Sequence, residues 1–201
     1  MPRCTRLAAE LVRTLDTSRR TGVLSHLLRA AIAMILCAGV IEPQFVPPAS
    51  TESFALEYKV KAAFLLNFTK FIEWSGSESM PAFSICLVGD DPFGPVLDKM
   101  VQGESVGGRK IIVQRTSRDA AKGCQIAYIA KSERNPKEIL SGLAPNVLTV
   151  GEGESFIRDG GVLAFVIDKG RVRFDISLAA ARNEQLTVSS RLLTVARSVE
   201  R

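Results

Sequence analysis

Two aspartates stand side by side behind an apolar run, Phe83-Ser-Ile-Cys-Leu-Val88 followed by Gly89, Asp90 and Asp91. Paired carboxylates at the carboxyl end of a parallel strand suit a magnesium-dependent phosphate site. The neighbours Pro92 and Gly94 favour another use: Asp91 as a helix cap with Pro92 in the first helical position. Gly151-Glu-Gly-Glu-Ser-Phe156 has the Gly-x-Gly of a phosphate loop but lacks its third glycine. Glu152 and Glu154 would repel phosphate, so a strand-to-helix turn is the better reading. Arg171, Arg173, Arg182 and Arg191 gather in the C-terminal third. On a strand Arg171 and Arg173 share one face and suit a carboxylate or another anion, unless they only solvate an edge.

The absences restrict the chemistry further. The one histidine, His26, precedes the main domain. The rest of the chain therefore holds no Ser-His-Asp or Cys-His set and no histidine metal site, and no cofactor is implied. Of four cysteines, Cys4 and Cys37 lie near the start, leaving Cys86 and Cys124. In an oxidising compartment an even pair reads as one disulfide. It would close a loop of about 39 residues, worth about 3–4 kcal/mol. The competing reading is two buried free thiols in neighbouring strands.

The start of the chain argues for that compartment. Residues 1–29 are basic and polar, and Ala30 to Ile41 carries no charge. A Pro-rich stretch from Pro43 to Pro48 follows. This is the pattern of a secretory signal. Twelve apolar residues rise about 18 Å as a helix, short of a hydrocarbon core of about 30 Å. We therefore assign residues 1–50 to a signal peptide and leader, and 51–201 to a single domain exported to the periplasm. From residue 51 onward 20 Lys and Arg face 18 Asp and Glu, a net +2. That near-neutrality gives no electrostatic case for binding nucleic acid.

The elements that must position these residues alternate. Ser53 to Trp74 predicts a helix with a wide apolar face, on which Phe64, Phe68 and Phe71 add an aromatic row. Short apolar strands follow at Phe83–Val88, Lys110–Gln114, Cys124–Ile129 and Val147–Val150, with helices between them. Gly161–Asp168 and Arg171–Ile176, flanking Lys169-Gly170, predict a hairpin. Ser189-Ser190 caps a last helix that runs as far as Val199. The fold class is α/β: a three-layer sandwich with a mainly parallel sheet and an antiparallel hairpin at the C-terminal side.

Four ordered motifs complete the sequence reading: Tyr58 to Trp74 (YKVKAAFLLNFTKFIEW), Gly89 to Gly94 (GDDPFG), Val172 to Ile176 (VRFDI) and Ser189 to Leu193 (SSRLL). Together they resemble the YfiR family of small exported proteins. The resemblance implies a periplasmic, non-enzymatic regulator of α/β sandwich fold that tends to form a homodimer. It implies a partner in the periplasmic region of a membrane-bound diguanylate cyclase, whose repression lowers cyclic di-GMP and restrains biofilm, and a possible outer-membrane lipoprotein partner. Cys86 and Cys124 match the family's internal disulfide. A second family pair has no counterpart between Asp159 and Val166. The partner surface is expected in the C-terminal half, with Phe165, Arg173 and Arg191 as candidates.

Two rival readings stay open. One is a periplasmic small-molecule binding module using the strand ends near Gly89–Phe93 and Gly151–Phe156. The other is an enzyme using Asp90 and Asp91 on magnesium. Amino-terminal sequencing of the periplasmic form is expected to find the leader removed after Gly39 or Ala49. An intact start at Met1 in that fraction would contradict the signal-peptide assignment.

Overall fold

The computed structural model describes residues 49–75, 80–116 and 123–201. The signal and leader expectation, with His26, Cys4 and Cys37, falls on residues outside these. The chain runs through α1 (Ala49–Phe68), β1 (Ile72–Trp74), β2 (Phe83–Val88), α2 (Pro95–Val101), β3 (Ser105–Val106) and β4 (Arg109–Thr116). It continues through β5 (Ile126–Ile129), α3 (Pro136–Gly142), β6 (Leu148–Glu152), α4 (Glu154–Arg158), β7 (Leu163–Asp168) and β8 (Arg171–Ser177). It ends with α5 (Leu178–Asn183), β9 (Leu186–Val188), α6 (Ser190–Val195) and β10 (Ser198–Glu200).

Eight strands form one sheet in the order β10-β8-β7-β6-β5-β2-β4-β3. The five central strands, β4-β2-β5-β6-β7, are all parallel. Their spatial order, 2-1-3-4-5 in chain sequence, is that of a doubly wound sheet with its switch point between β2 and β5. The β7–β8 hairpin is antiparallel, from Leu163↔Ile176 to Asp168↔Arg171, as expected from sequence. Its tip residues Lys169 and Gly170 both have positive φ, 47° and 73°, the requirement of the tight turn that matches strand twist.

Strands β2, β5, β6 and most of β7 are buried on both faces, which is why they read as apolar runs. Phe83, Ile85 and Leu87 of β2 join the larger core, with Leu65 and Phe68 of α1 and Leu97 and Val101 of α2. Cys86 and Val88 point the other way, into a smaller core with Ile139 of α3 and Phe156 and Ile157 of α4. Three layers result. The Cys86–Cys124 disulfide forms inside the smaller core, its Cα atoms 5.9 Å apart. The pairing of β2 with β5 brings the two cysteines together. Gly151 and Gly161 lie beneath the Phe156 ring, and a Cβ at either would collide with it.

Three local expectations are corrected. The first helix ends at Phe68, because turn hydrogen bonds from Thr69, Lys70 and Phe71 close its last carbonyls. Ile72–Trp74 then pairs antiparallel with β9, with Ile72 and Trp74 buried and Glu73 exposed. The last helix stops at Val195, and Val199 lies on β10 beside β8 rather than on that helix. Pro95, not Pro92, opens α2, and Asp91 is not its cap. Asp91 Oδ1 instead accepts from the N–H groups of Phe93 (2.7 Å) and Gly94 (3.1 Å).

Replacing both Cys86 and Cys124 by alanine is expected to lower unfolding free energy by about 3–4 kcal/mol, read by urea titration. Gly161→Ala is expected to cost more than 2 kcal/mol, roughly, through overpacking. An unchanged urea midpoint in either variant would contradict the packing described here.

Candidate functional site

One lysine of α1 points into the core. Lys61 is 1 % exposed. Its Nζ forms ion pairs with Glu57 one turn earlier and, at 2.8 Å, with Glu152 Oε2 at the end of β6. Tyr58 Oη donates to Glu152 Oε1 at 2.8 Å, and Tyr128 of β5 donates to the same oxygen. Lys61 Nζ also sits 4.2 Å from the centre of the Tyr58 ring. Burial acts to raise the Glu152 pKa, but hydrogen bonds from Lys61, Tyr128 and Tyr58 outweigh it and hold the carboxyl below its ordinary value. Burial, then the neighbouring carboxylate, pushes both tyrosines well above their ordinary value. The carboxylate therefore stays charged and the phenols stay donors. That combination clamps a helix to a sheet and leaves no group poised to exchange a proton.

Sequence reading passed over Lys61 and treated Glu152 only as repelling phosphate. A signal existed: Lys61 falls among Tyr58, Ala62 and Leu65 on the apolar face of the helix. Its partner lies 91 residues away, so no local pattern could supply it.

The outer side of the same helix is apolar and open. Phe54, Leu56 and Val60 are 54 %, 62 % and 37 % exposed, and Ile167 near the hairpin tip is 54 % exposed. A groove of about 480 Å³ runs between α1 and the hairpin, lined by Leu56, Val60, Phe64, Ile167, Arg171 and Val172 among others. Lys169, Arg171 and Arg173 are exposed beside it. Exposed apolar side chains thus cluster here beside cations that form no ion pair among the described residues.

The expected site residues separate. Phe165 is 2 % exposed, its ring centroid 6.1 Å from Phe64 and 5.9 Å from Phe68. It is a core residue, and its side chain is not available to a partner. Arg173 is exposed on β8, across from Val166 and on the face opposite Phe174. Arg191 is exposed in α6, whose Leu192 packs into the larger core. The structure does not gather the three.

Asp91 and the strand-end crevice are occupied by the protein's own groups, whereas Asp90 is exposed and donates its backbone N–H to Ser132 Oγ at 3.2 Å. Asp91 Oδ2 accepts from Arg115 Nε at 2.9 Å, and Arg115 also bridges to Asp98. Hydrogen bonding to Asp98, with help from Asp91, pushes the Arg115 pKa further up, and the same bond pulls Asp98 below its ordinary value. Both Asp91 oxygens are thus engaged by the protein's own donors. Ser132 and Glu133 close over Gly89, where a Cβ would come within 2.9 Å of Glu133 Oε1. Phe93 fills the space between Tyr58 and Tyr128, at 5.5 and 4.8 Å between centroids. Phe156 covers Gly151. Among the described residues no group of three His, Cys, Asp or Glu could hold a metal, and no helix is long and apolar enough to cross a membrane.

Fold and surface together define a doubly wound, three-layer α/β domain with a closed core and an open apolar flank. The chain belongs to the YfiR/HmsC-like family, whose model matches residues 58–197. That family is periplasmic, and it is regulatory rather than catalytic. No curated protein matches the chain. Among solved structures, a conserved domain protein from Vibrio cholerae O1 biovar El Tor is similar at 10 % identity and a TM-score of 0.49. The match covers 71 % of this chain and 60 % of that one.

Lys61→Met should cost about 3–5 kcal/mol, because it strands a buried carboxylate. The double variant Lys61→Met, Glu152→Gln should recover part of that loss in a double-mutant cycle. Glu152 is held below its ordinary 4.5. Its stabilisation is therefore present above that value and is lost as pH falls through the lower folded value. The fall in stability on acidification should be shallower in Glu152→Gln, measured as urea midpoint against pH. Equal slopes in the two proteins would contradict the ionised clamp.

Proposed function

We propose that this protein is a periplasmic regulator that binds the outer portion of an inner-membrane signalling protein, a diguanylate cyclase, and represses it. Export would follow from the signal-like leader at residues 1–50. In this reading repression lowers cyclic di-GMP and restrains biofilm, a homodimer is the working form, and an outer-membrane lipoprotein sequesters it. Membership of the YfiR/HmsC-like family supports the regulatory class. The observation that carries the binding mode is the exposed apolar flank of α1 and the hairpin, set on a buried ionic clamp.

The energetics suit a regulator. A ligand shifts a two-state sensor only through its different affinity for the two states. Moving the balance from 1:99 to 99:1 takes about 5.5 kcal/mol of difference. Fully burying one large apolar side chain contributes about 1.5–3 kcal/mol. Phe54, Leu56 and Ile167, each just over half exposed, would together contribute roughly 3–5 kcal/mol on burial, most but not all of that difference if only one sensor state accepts them.

Deleting the gene is expected to raise cellular cyclic di-GMP, and the wild-type gene to restore it. Complementation with Leu56→Asp, Ile167→Asp should fail at an equal periplasmic level of protein. Unchanged cyclic di-GMP after deletion would refute the regulatory reading. Full rescue by the double variant would remove the surface from it.

A further inference from the structure

Strand β8 runs from Arg171 to Ser177, but β10 covers only Asp175 to Ser177 on its outer side. On the inner side β7 pairs with all of Arg171 to Ile176. The hydrogen bonds show which backbone groups face outward. Ser177 N–H donates to Val162 O on the β7 side, whereas Phe174 O accepts from Arg197 N–H on the other. Backbone groups of successive residues alternate between the two edges of a strand. Val172 therefore presents its N–H and C=O outward, where no strand stands among the described residues. Such an edge is a template for another chain.

The two sides of this edge differ in chemistry. On the α1 side lie Val172 and the apolar groove. By register Arg171 and Arg173 share the opposite face, both exposed and in no ion pair among the described residues, with Arg171 at the hairpin end also bordering the groove. A strand laid along the edge would direct alternate side chains to these two environments.

We propose that the Arg171–Phe174 edge of β8 receives an extended segment of a partner protein by strand addition, a segment whose side chains alternate between apolar and acidic. Main-chain hydrogen bonds to Val172 supply binding, and the groove and the arginines supply selectivity. A second copy of this chain is the poorer occupant. Two β8 edges paired antiparallel would set arginine against arginine, and like charges directly opposite are destabilising. The arginines that suppress self-pairing are the groups that accept a carboxylate-bearing strand. This inference rests on the reading that the protein acts by binding a partner, and it names that partner's local chemistry.

The test uses protein purified from the periplasm and three capped heptapeptides. One alternates valine and glutamate, one alternates valine and lysine, and the third is the valine–glutamate peptide N-methylated at alternate residues. Binding is read by amide chemical shifts at millimolar peptide. The valine–glutamate peptide is expected to bind about tenfold more tightly than either control, with the Val172 amide among those most shifted. Val172→Pro removes an outward N–H together with part of a half-buried side chain, and should abolish binding. Arg171→Glu, Arg173→Glu should transfer the preference to the lysine peptide, which keeps the proposal falsifiable should the proline variant misfold. Equal binding of all three peptides, shifts confined to other surfaces, or no binding at all would overturn strand addition. Cyclic di-GMP that still rises on gene deletion would then leave the regulatory reading standing, so the two can fail separately.

Discussion

The buried ion pair between Lys61 and Glu152 decides where α1 lies, and most of the outer surface follows from that. An ammonium and a carboxylate taken out of water each cost several kcal/mol unless their remaining bonds are met. Here they are met from three elements: Glu57 and Tyr58 on the helix itself, Tyr128 from β5 and Glu152 from β6. Lys61 finds those partners at one register only. The clamp thereby sets Leu56 and Val60 beside the hairpin and opens the groove between them.

The two faces of the sheet are held by different means. On one, a helix of 20 residues spreads an aromatic row across β7 and β8, with Phe64 and Phe68 against Phe165 and Phe174. On the other, α3 and α4 have only seven and five residues. Such short helices bury little, and the Cys86–Cys124 crosslink sits within that thinner layer. A covalent tie between β2 and the entry to β5 offsets a small core there. The close approach of Phe156 to Gly151 and Gly161 serves the same layer, because only glycine admits the ring.

Rigidity and exposure then divide the molecule. The strand ends where doubly wound domains hold ligands are filled by Phe93, Ser132 and Glu133. Asp91, one of the two carboxylates that looked catalytic, is tied to Arg115 and to backbone N–H groups. What stays open is lateral: the flank of α1, the hairpin tip and the uncovered half of β8. A domain built this way has surface to offer and little interior, which suits the regulatory family to which it belongs.

The α/β class, the hairpin and most strands were legible because their signals are local. Buried parallel strands are short apolar runs, and Lys169-Gly170 marks its own turn. The disulfide was legible as chemistry, from an even cysteine count and an oxidising destination. Ile72–Trp74 and the first two residues of β10, Ser198 and Val199, were misread as helix, because so short a strand carries too little pattern until a partner strand is known. Phe165 looked like a surface candidate and is core, since its burial depends on Phe64 and Phe68, about a hundred residues earlier in the chain. Sequence alone determined the elements, the absence of histidine from the main domain and the family motifs, all written in neighbouring residues. Tertiary structure alone decided that Lys61 meets Glu152, that Asp91 is spent on Arg115 and that the first half of β8 has no outer strand among the described residues. Each of those is a meeting of residues far apart in the chain, and spacing along a sequence carries no record of it.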